Sequence, residues 1–158
     1  MDEERARAIA ERLHAHDREE DGSPVLEHVR RVVAAVPARA RPVAWLHEVL
    51  ESTPVAEQEL LLAGLTDEEL RALRLLTRTS GAGDDELYLA HVRMIAGAAG
   101  EAGRLARTVK VADLSVRSAH PHVRRTGWSP PYAVALDLLR DGVTPPGAAR
   151  PGDRAAAG

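Results

Sequence analysis

The stretch 41-RPVAWLHEVLEST-53 decides how the rest of the chain is read. Val43, Ala44, Trp45, Leu46, Val49 and Leu50 leave almost no polar stripe, the mark of a helix buried on most sides. Yet His47, Glu48 and Glu51 stand among them. Successive helix residues lie about 100° apart, so His47 and Glu48 are neighbours around the axis and Glu51 follows one turn on. A carboxylate alone in an apolar bundle is strongly destabilising or takes up a proton, so these groups need partners.

Partners of the right kind stand on two other apolar stretches. His28 lies in 25-VLEHVRRVV-33 and Asp113 in 108-TVKVADLSV-116, again among aliphatic residues at helical spacing. Two neutral imidazoles and two carboxylates neutralise a divalent cation and leave positions for water and substrate oxygens. A purely hydrogen-bonded polar core would satisfy the same residues, and spacing alone leaves both readings open.

Outward from the opening stretch the pattern is helix after helix. Residues 3–19 place Ala6, Ile9, Ala10 and Leu13 on one face, and 21-DGSP-24 ends that element and starts the next, with Pro24 in its first turn. The helix over 41–51 is closed by 52-STP-54, and a short helix is expected over 55–63. Thr66 and Glu69 form a capping box for 67–79, residues 80–85 read as a loop, and helices are expected over 86–98, 103–119 and from Pro130 to Arg140. No alternating β-branched run sits between turn signals, so the expected class is all-α. Residues 1–141 are expected to form one domain. From 142 to 158 the chain is rich in Pro, Gly, Ala and Arg without apolar periodicity, which predicts a disordered tail.

Composition narrows the function. The 158 residues are 44% hydrophobic with no Phe, so Leu, Val and Ala must fill the core, which favours helices. A net charge of −3 gives no field for a nucleic-acid polymer or an anionic membrane. With no cysteine there can be no disulfide, thiolate metal site or thiol nucleophile, which fits a reducing cytoplasm. The charged start 1-MDEERARAIAERL-13 is unlike a signal peptide, and no apolar run reaches the roughly 20 residues of a membrane span. Of 21 basic residues only Lys110 is lysine.

The order His28, His47-Glu48, Asp113 resembles that of the HD-domain metal-dependent phosphohydrolases, whose pattern is a His, a His-Asp pair on a later helix, and a distant Asp. Over roughly residues 10–140 the chain is most similar to the hydrolase domain of RelA/SpoT-type alarmone enzymes and to small stand-alone HD proteins related to them. The similarity runs through 14-HAHDREEDGSPVLEH-28 with His14, Gly22, Pro24 and His28, then 44-AWLHEVLEST-53, 74-RLLTRT-79, 86-ELYLAHVRMI-95 and 106-ARTVKVADL-114.

That resemblance implies an HD-type helical bundle with metal ligands His28, His47, Glu48 and Asp113, and Mn²⁺ as the family's common ion. It implies that Glu51 orients or activates the attacking water. Lys110, one turn before Asp113, could contact a phosphate, with Tyr88 and Arg93 as weaker candidates for the pocket wall. The implied activity is hydrolysis of a phosphate or pyrophosphate ester in a small nucleotide-like substrate, with guanosine tetraphosphate and its 3′-pyrophosphate as the first candidate. The alternative is an HD module that binds metal or nucleotide without turnover.

Three positions depart from the family pattern. Glu48 stands for the Asp of the His-Asp pair, Ser52 stands for the Asp of a Glu-Asp pair, and Arg18, near the place of a nucleotide-holding base, is followed by Glu19, Glu20 and Asp21. His16 is expected in solvent, His14 either at a helix end or behind the ligands, and His120 and His122 in a loop. Arg104, Arg107 and Arg117 are read as a solvated face.

Overall fold

The computed structural model describes residues 1–78, 84–119 and 130–141. Among these the chain is helical: α1 (Glu3–Leu13), α2 (Val25–Ala34), α3 (Arg41–Leu46), α4 (Val49–Ser52), α5 (Glu57–Leu62), α6 (Asp67–Leu76), α7 (Asp85–Gly97), α8 (Gly100–Ala119) and α9 (Tyr132–Asp141). A short 3₁₀ turn, Ala38–Ala40, leads into α3. The all-α expectation holds, and the one β-type pairing among the described residues is an isolated bridge between Arg18 and Pro24. The tail expected at 142–158 lies outside the described residues, as do His120 and His122.

The helix starts carry the caps that their sequences encode. Asp2 accepts from the Arg5 amide at 2.8 Å at the head of α1. At α6 the Glu69 carboxylate accepts from the Thr66 amide at 3.0 Å, while the Glu69 amide donates to Thr66 Oγ1 at 3.3 Å. Glu69 is itself buried, and its charge is matched by Arg39 at 2.9 Å and the Met1 amino group at 2.8 Å. This second buried carboxylate is therefore fully partnered.

Helix α8 is the axis of the domain, packing against α2, α6, α7 and α9, while α1 packs against α3. Its buried stripe runs Ala102, Leu105, Ala106, Val109, Ala112, Asp113, with the three- and four-residue steps of one helix face. That spacing carries Asp113 into the core along with its apolar neighbours. The turn from α7 into α8 depends on Gly103, where an added Cβ would lie 2.1 Å from the carbonyl oxygen of Ala98.

Two expected helices end early. The element predicted over 3–19 stops at Leu13, because the following backbone finds other partners. His14 Nδ1 meets Asp17 Oδ2 at 2.8 Å, the Glu19 amide donates to the Ser23 carbonyl, and the Val25 amide donates to the Asp17 carbonyl. Gly22 turns this loop at φ 88°, a left-handed conformation suited to glycine. The helix expected over 41–51 is broken in two, with His47 and Glu48 at the junction of α3 and α4. Smaller shifts place the end of α6 at Leu76 and the start of α8 at Gly100.

Candidate metal centre

Three separate segments deliver the site. His28 projects from α2, 2% exposed, beside the fully buried Val29 and Val32. His47 follows α3, whose Val43, Ala44 and Leu46 are fully buried, so its backbone is seated in the core. Glu48 begins α4, and Asp113 comes from the middle of α8 at 4% exposure. One ligand-type atom from each of His28, His47, Glu48 and Asp113 lies within 4.8 Å of all the others. Donors around a single ion at bond lengths of ~2.0–2.5 Å are separated by at most about 4–5 Å, so the group has the dimensions of a first coordination sphere.

The donor chemistry fits an ion as well. His47 Nδ1 lies 2.7 Å from the carbonyl oxygen of Ala44, and since a carbonyl only accepts, Nδ1 carries the hydrogen. In the neutral ring Nε2 then holds a lone pair, and burial, only partly countered by Glu48, lowers the His47 pKa and keeps the ring neutral. That lone pair faces Glu48 Oε1 at 3.5 Å, acceptor against acceptor. His28 Nε2 approaches Asp113 Oδ1 at 3.2 Å and Glu48 Oε1 at 3.9 Å, yet neither ring nitrogen of His28 nor Nε2 of His47 has a hydrogen-bond partner. The two rings stand 5.5 Å apart at 58°. A buried lone pair aimed at a carboxylate, as at His47, calls for a cation between them.

The structure supplies organic cations around the same carboxylates. Lys110 donates to Asp113 Oδ2 at 2.8 Å, and Arg117 donates through Nε to Asp113 Oδ1 at 2.8 Å. A terminal nitrogen of Arg117 reaches Glu48 Oε1 at 2.6 Å, and the other lies 3.7 Å from Glu19 Oε2. Burial works to raise the Asp113 pKa, but Lys110 and Arg117 outweigh it and hold the carboxyl well below its ordinary range. At Glu48 burial is likewise outweighed by surrounding positive charge, which Arg117 supplies while His47 is neutral, and the pKa falls. Burial would discharge Lys110, but Asp113 and Tyr88 raise its pKa instead.

These groups form one wall of a cavity of about 400 Å³, a size that suits a small organic ligand. Asp113, Glu48, Glu51, Lys110 and Tyr88 line it, and so do Glu19, His91 and Arg117. Glu51 is anchored at the far side of α4, where its Oε2 accepts from the Arg78 amide at 3.1 Å and its Oε1 lies 3.6 Å from the Arg78 guanidinium. That guanidinium sits 5.9 Å over the Tyr88 ring. Ser52 Oγ donates to the Glu48 carbonyl at 2.7 Å, so it supports the backbone of Glu48 and adds no charge.

Other expectations divide. His16 is exposed as expected, and His14 is buried against Asp17 at the end of α1. Arg93 is exposed on α7 and does not line the cavity, because its helix turns His91 inward instead. Arg104 is exposed and paired with Glu101, whereas Arg107 donates to the Ala96 and Ala98 carbonyls. Arg117, read as part of a solvated face, is instead 15% exposed and lies within the site. The available signal was its position four residues after Asp113, which puts the two side chains on one helix face. Glu19 was also missed, since it reaches the cavity only because α1 stops short and the loop folds back.

No protein-family model matches the chain, and no curated protein matches it. Among the described residues no helix is long and apolar enough to cross a membrane.

Proposed function

We propose that the protein is a mononuclear, metal-dependent phosphohydrolase of the HD type, cytoplasmic, acting on a small phosphorylated, nucleotide-like substrate. The observation that carries this reading is the convergence of His28, His47, Glu48 and Asp113, with imidazole nitrogens left unpartnered, at a cavity that Glu48 and Asp113 line. A pyrophosphate ester of the guanosine tetraphosphate type is the leading substrate, on the resemblance of the motifs to the alarmone hydrolases.

His28, His47, Glu48 and Asp113 would hold the ion, with Mn²⁺ the first candidate. Such an ion, when bound, supplies Lewis-acid polarisation of a phosphoryl oxygen and lowers the pKa of water. The protein's own contribution starts with Ala44, whose carbonyl fixes the tautomer of His47 and aims Nε2 inward. Lys110 brings a positive charge to the wall of the cavity, where it can balance charge developing on a phosphate. Glu51 opens onto the same cavity and can accept a proton from water once its carboxylate leaves Arg78.

That same pairing favours a second reading, an HD-type module that binds metal or nucleotide without turnover. With Glu51 tied to Arg78, Ser52 spent on a backbone carbonyl and Glu48 bridged by Arg117, none of the three offers a free carboxylate to the cavity. Metal analysis of protein purified without chelator, followed by a phosphate-release screen over nucleotides with Mn²⁺, separates the two. Bound metal with release that disappears in His47→Ala supports the enzyme. Bound metal without release supports the module, and lack of metal at every concentration removes both.

A further inference from the structure

Arg117 engages two of the oxygens that a divalent ion held by the cluster would use. Its guanidinium bridges Glu48 Oε1 at 2.6 Å and Asp113 Oδ1 at 2.8 Å, the two anionic donors of the cluster. These are also the carboxylate oxygens nearest the unpartnered His28 Nε2, at 3.9 and 3.2 Å. Arg117 stands four residues after Asp113 on α8, so one guanidinium nitrogen falls on Asp113, and the planar fork extends across to the facing α4. A third acid, Glu19, lies 3.7 Å from the remaining nitrogen, from the loop that follows α1. Arg117 thus answers the charge of both carboxylates without any ion.

On the reading of the cluster as a metal centre, we propose that Arg117 is a built-in competitor for the metal, holding Glu48 and Asp113 in the empty state and yielding them when an ion enters. The physical reason is donor capacity. Each oxygen that Arg117 engages has a lone pair directed at the guanidinium, and an ion at the same point meets the full positive charge of the side chain at contact distance. The metal and the guanidinium therefore oppose each other at these two oxygens, although a second lone pair remains on each, and the free protein has a lower affinity than its four ligands alone would provide. The displaced side chain has an acceptor to move to, because Glu19 lies at the cavity wall beyond the ligands.

The test is direct binding of Mn²⁺, read by the loss of its free-ion electron paramagnetic resonance signal, to chelator-treated wild type, Arg117→Gln and Arg117→Lys. Arg117→Gln removes the cation, and the expected gain in Mn²⁺ affinity is at least tenfold. Arg117→Lys keeps a charge but its point-like ammonium cannot span both carboxylates, so an intermediate gain of about threefold is expected, and it guards against a Gln variant that does not fold. Arg78→Gln is the control, since it removes a positive charge from the same cavity without touching a ligand, and is expected to change affinity less than threefold. Equal affinity in wild type and both Arg117 variants overturns the competition and leaves the metal centre standing. Weaker binding in the variants also overturns it, making Arg117 an organiser of the ligands. Failure of every protein to bind Mn²⁺ overturns both the competition and the metal centre.

Discussion

His91 turns the cavity wall into a measurable pH dependence. It lies on α7 and lines the cavity, and its pKa is lowered from 6.5 to about 4, first by burial and then by the nearby charge of Lys110, with a backbone hydrogen bond at Leu76 offsetting part of this. The folded protein therefore keeps His91 neutral over a range in which the unfolded chain accepts a proton. Its contribution to stability is complete above pH 6.5 and is lost as pH falls towards about 4. At full weight, going from pH 7 to pH 4.5 removes roughly 2.4 kcal/mol, taking about 1.36 kcal/mol per unit. Because the side chain is only partly buried, solvent screening brings the expected loss to about 1–2 kcal/mol. Urea denaturation of chelator-treated protein, followed by far-ultraviolet circular dichroism at several pH values, measures it against His91→Gln. His47 is also held neutral by burial and contributes in the same direction, but equally in both proteins, so the difference isolates His91. The wild type should lose more stability than the variant over this interval. Parallel losses in the two would refute the placement of His91 as a buried, neutral group.

Three further outcomes follow from the packing. Gly103→Ala drives a methyl group against the Ala98 carbonyl and should destabilise by about 2–3 kcal/mol in the same denaturation assay, since backbone on both sides resists the shift. Asp113→Asn removes the common partner of Lys110 and Arg117; a loss of about 3–5 kcal/mol is expected, with Mn²⁺ binding abolished in calorimetry. Thr66→Ala removes the side-chain cap of α6 and should lower stability by about 1 kcal/mol without changing metal affinity, which separates this end of the bundle from the site.

The helical class was legible because each apolar stripe repeats at three and four residues, and the α6 boundary because Thr66 and Glu69 form a reciprocal cap. The convergence of four residues was legible for a different reason, since His28, His47, Glu48 and Asp113 are polar letters inside apolar stripes and such letters must find each other. What periodicity could not reveal is where a stripe is interrupted. The segment 41–52 reads as one helix because both halves bury the same kinds of residue, yet the chain breaks at His47 and Glu48. The end of α1 at Leu13 was hidden too, because it is set by contacts among Asp17, Ser23 and Val25 that span a turn and leave no periodic trace. Arg117 was misread because in a chain this rich in arginine most stand in solvent, and only its partner four residues earlier distinguishes it.

The break between α3 and α4 gives His47 and Glu48 unequal stiffness. His47 closes a segment whose Val43, Ala44 and Leu46 have no exposed surface, so its backbone moves only if the core moves. Glu48 is carried by the single turn Val49–Ser52, in which Val49 alone is fully buried and Glu51 and Ser52 are exposed. A lone turn has little cooperativity of its own, so amide hydrogens of residues 48–52 should exchange with solvent well before those of 43–47. The group of His28, His47, Glu48 and Asp113 would then consist of three fixed points and one on a spring. A carboxylate one methylene longer than aspartate can be accommodated at such a point, because the slack lies in the backbone that carries it, and the three stiff positions need not adjust to its reach.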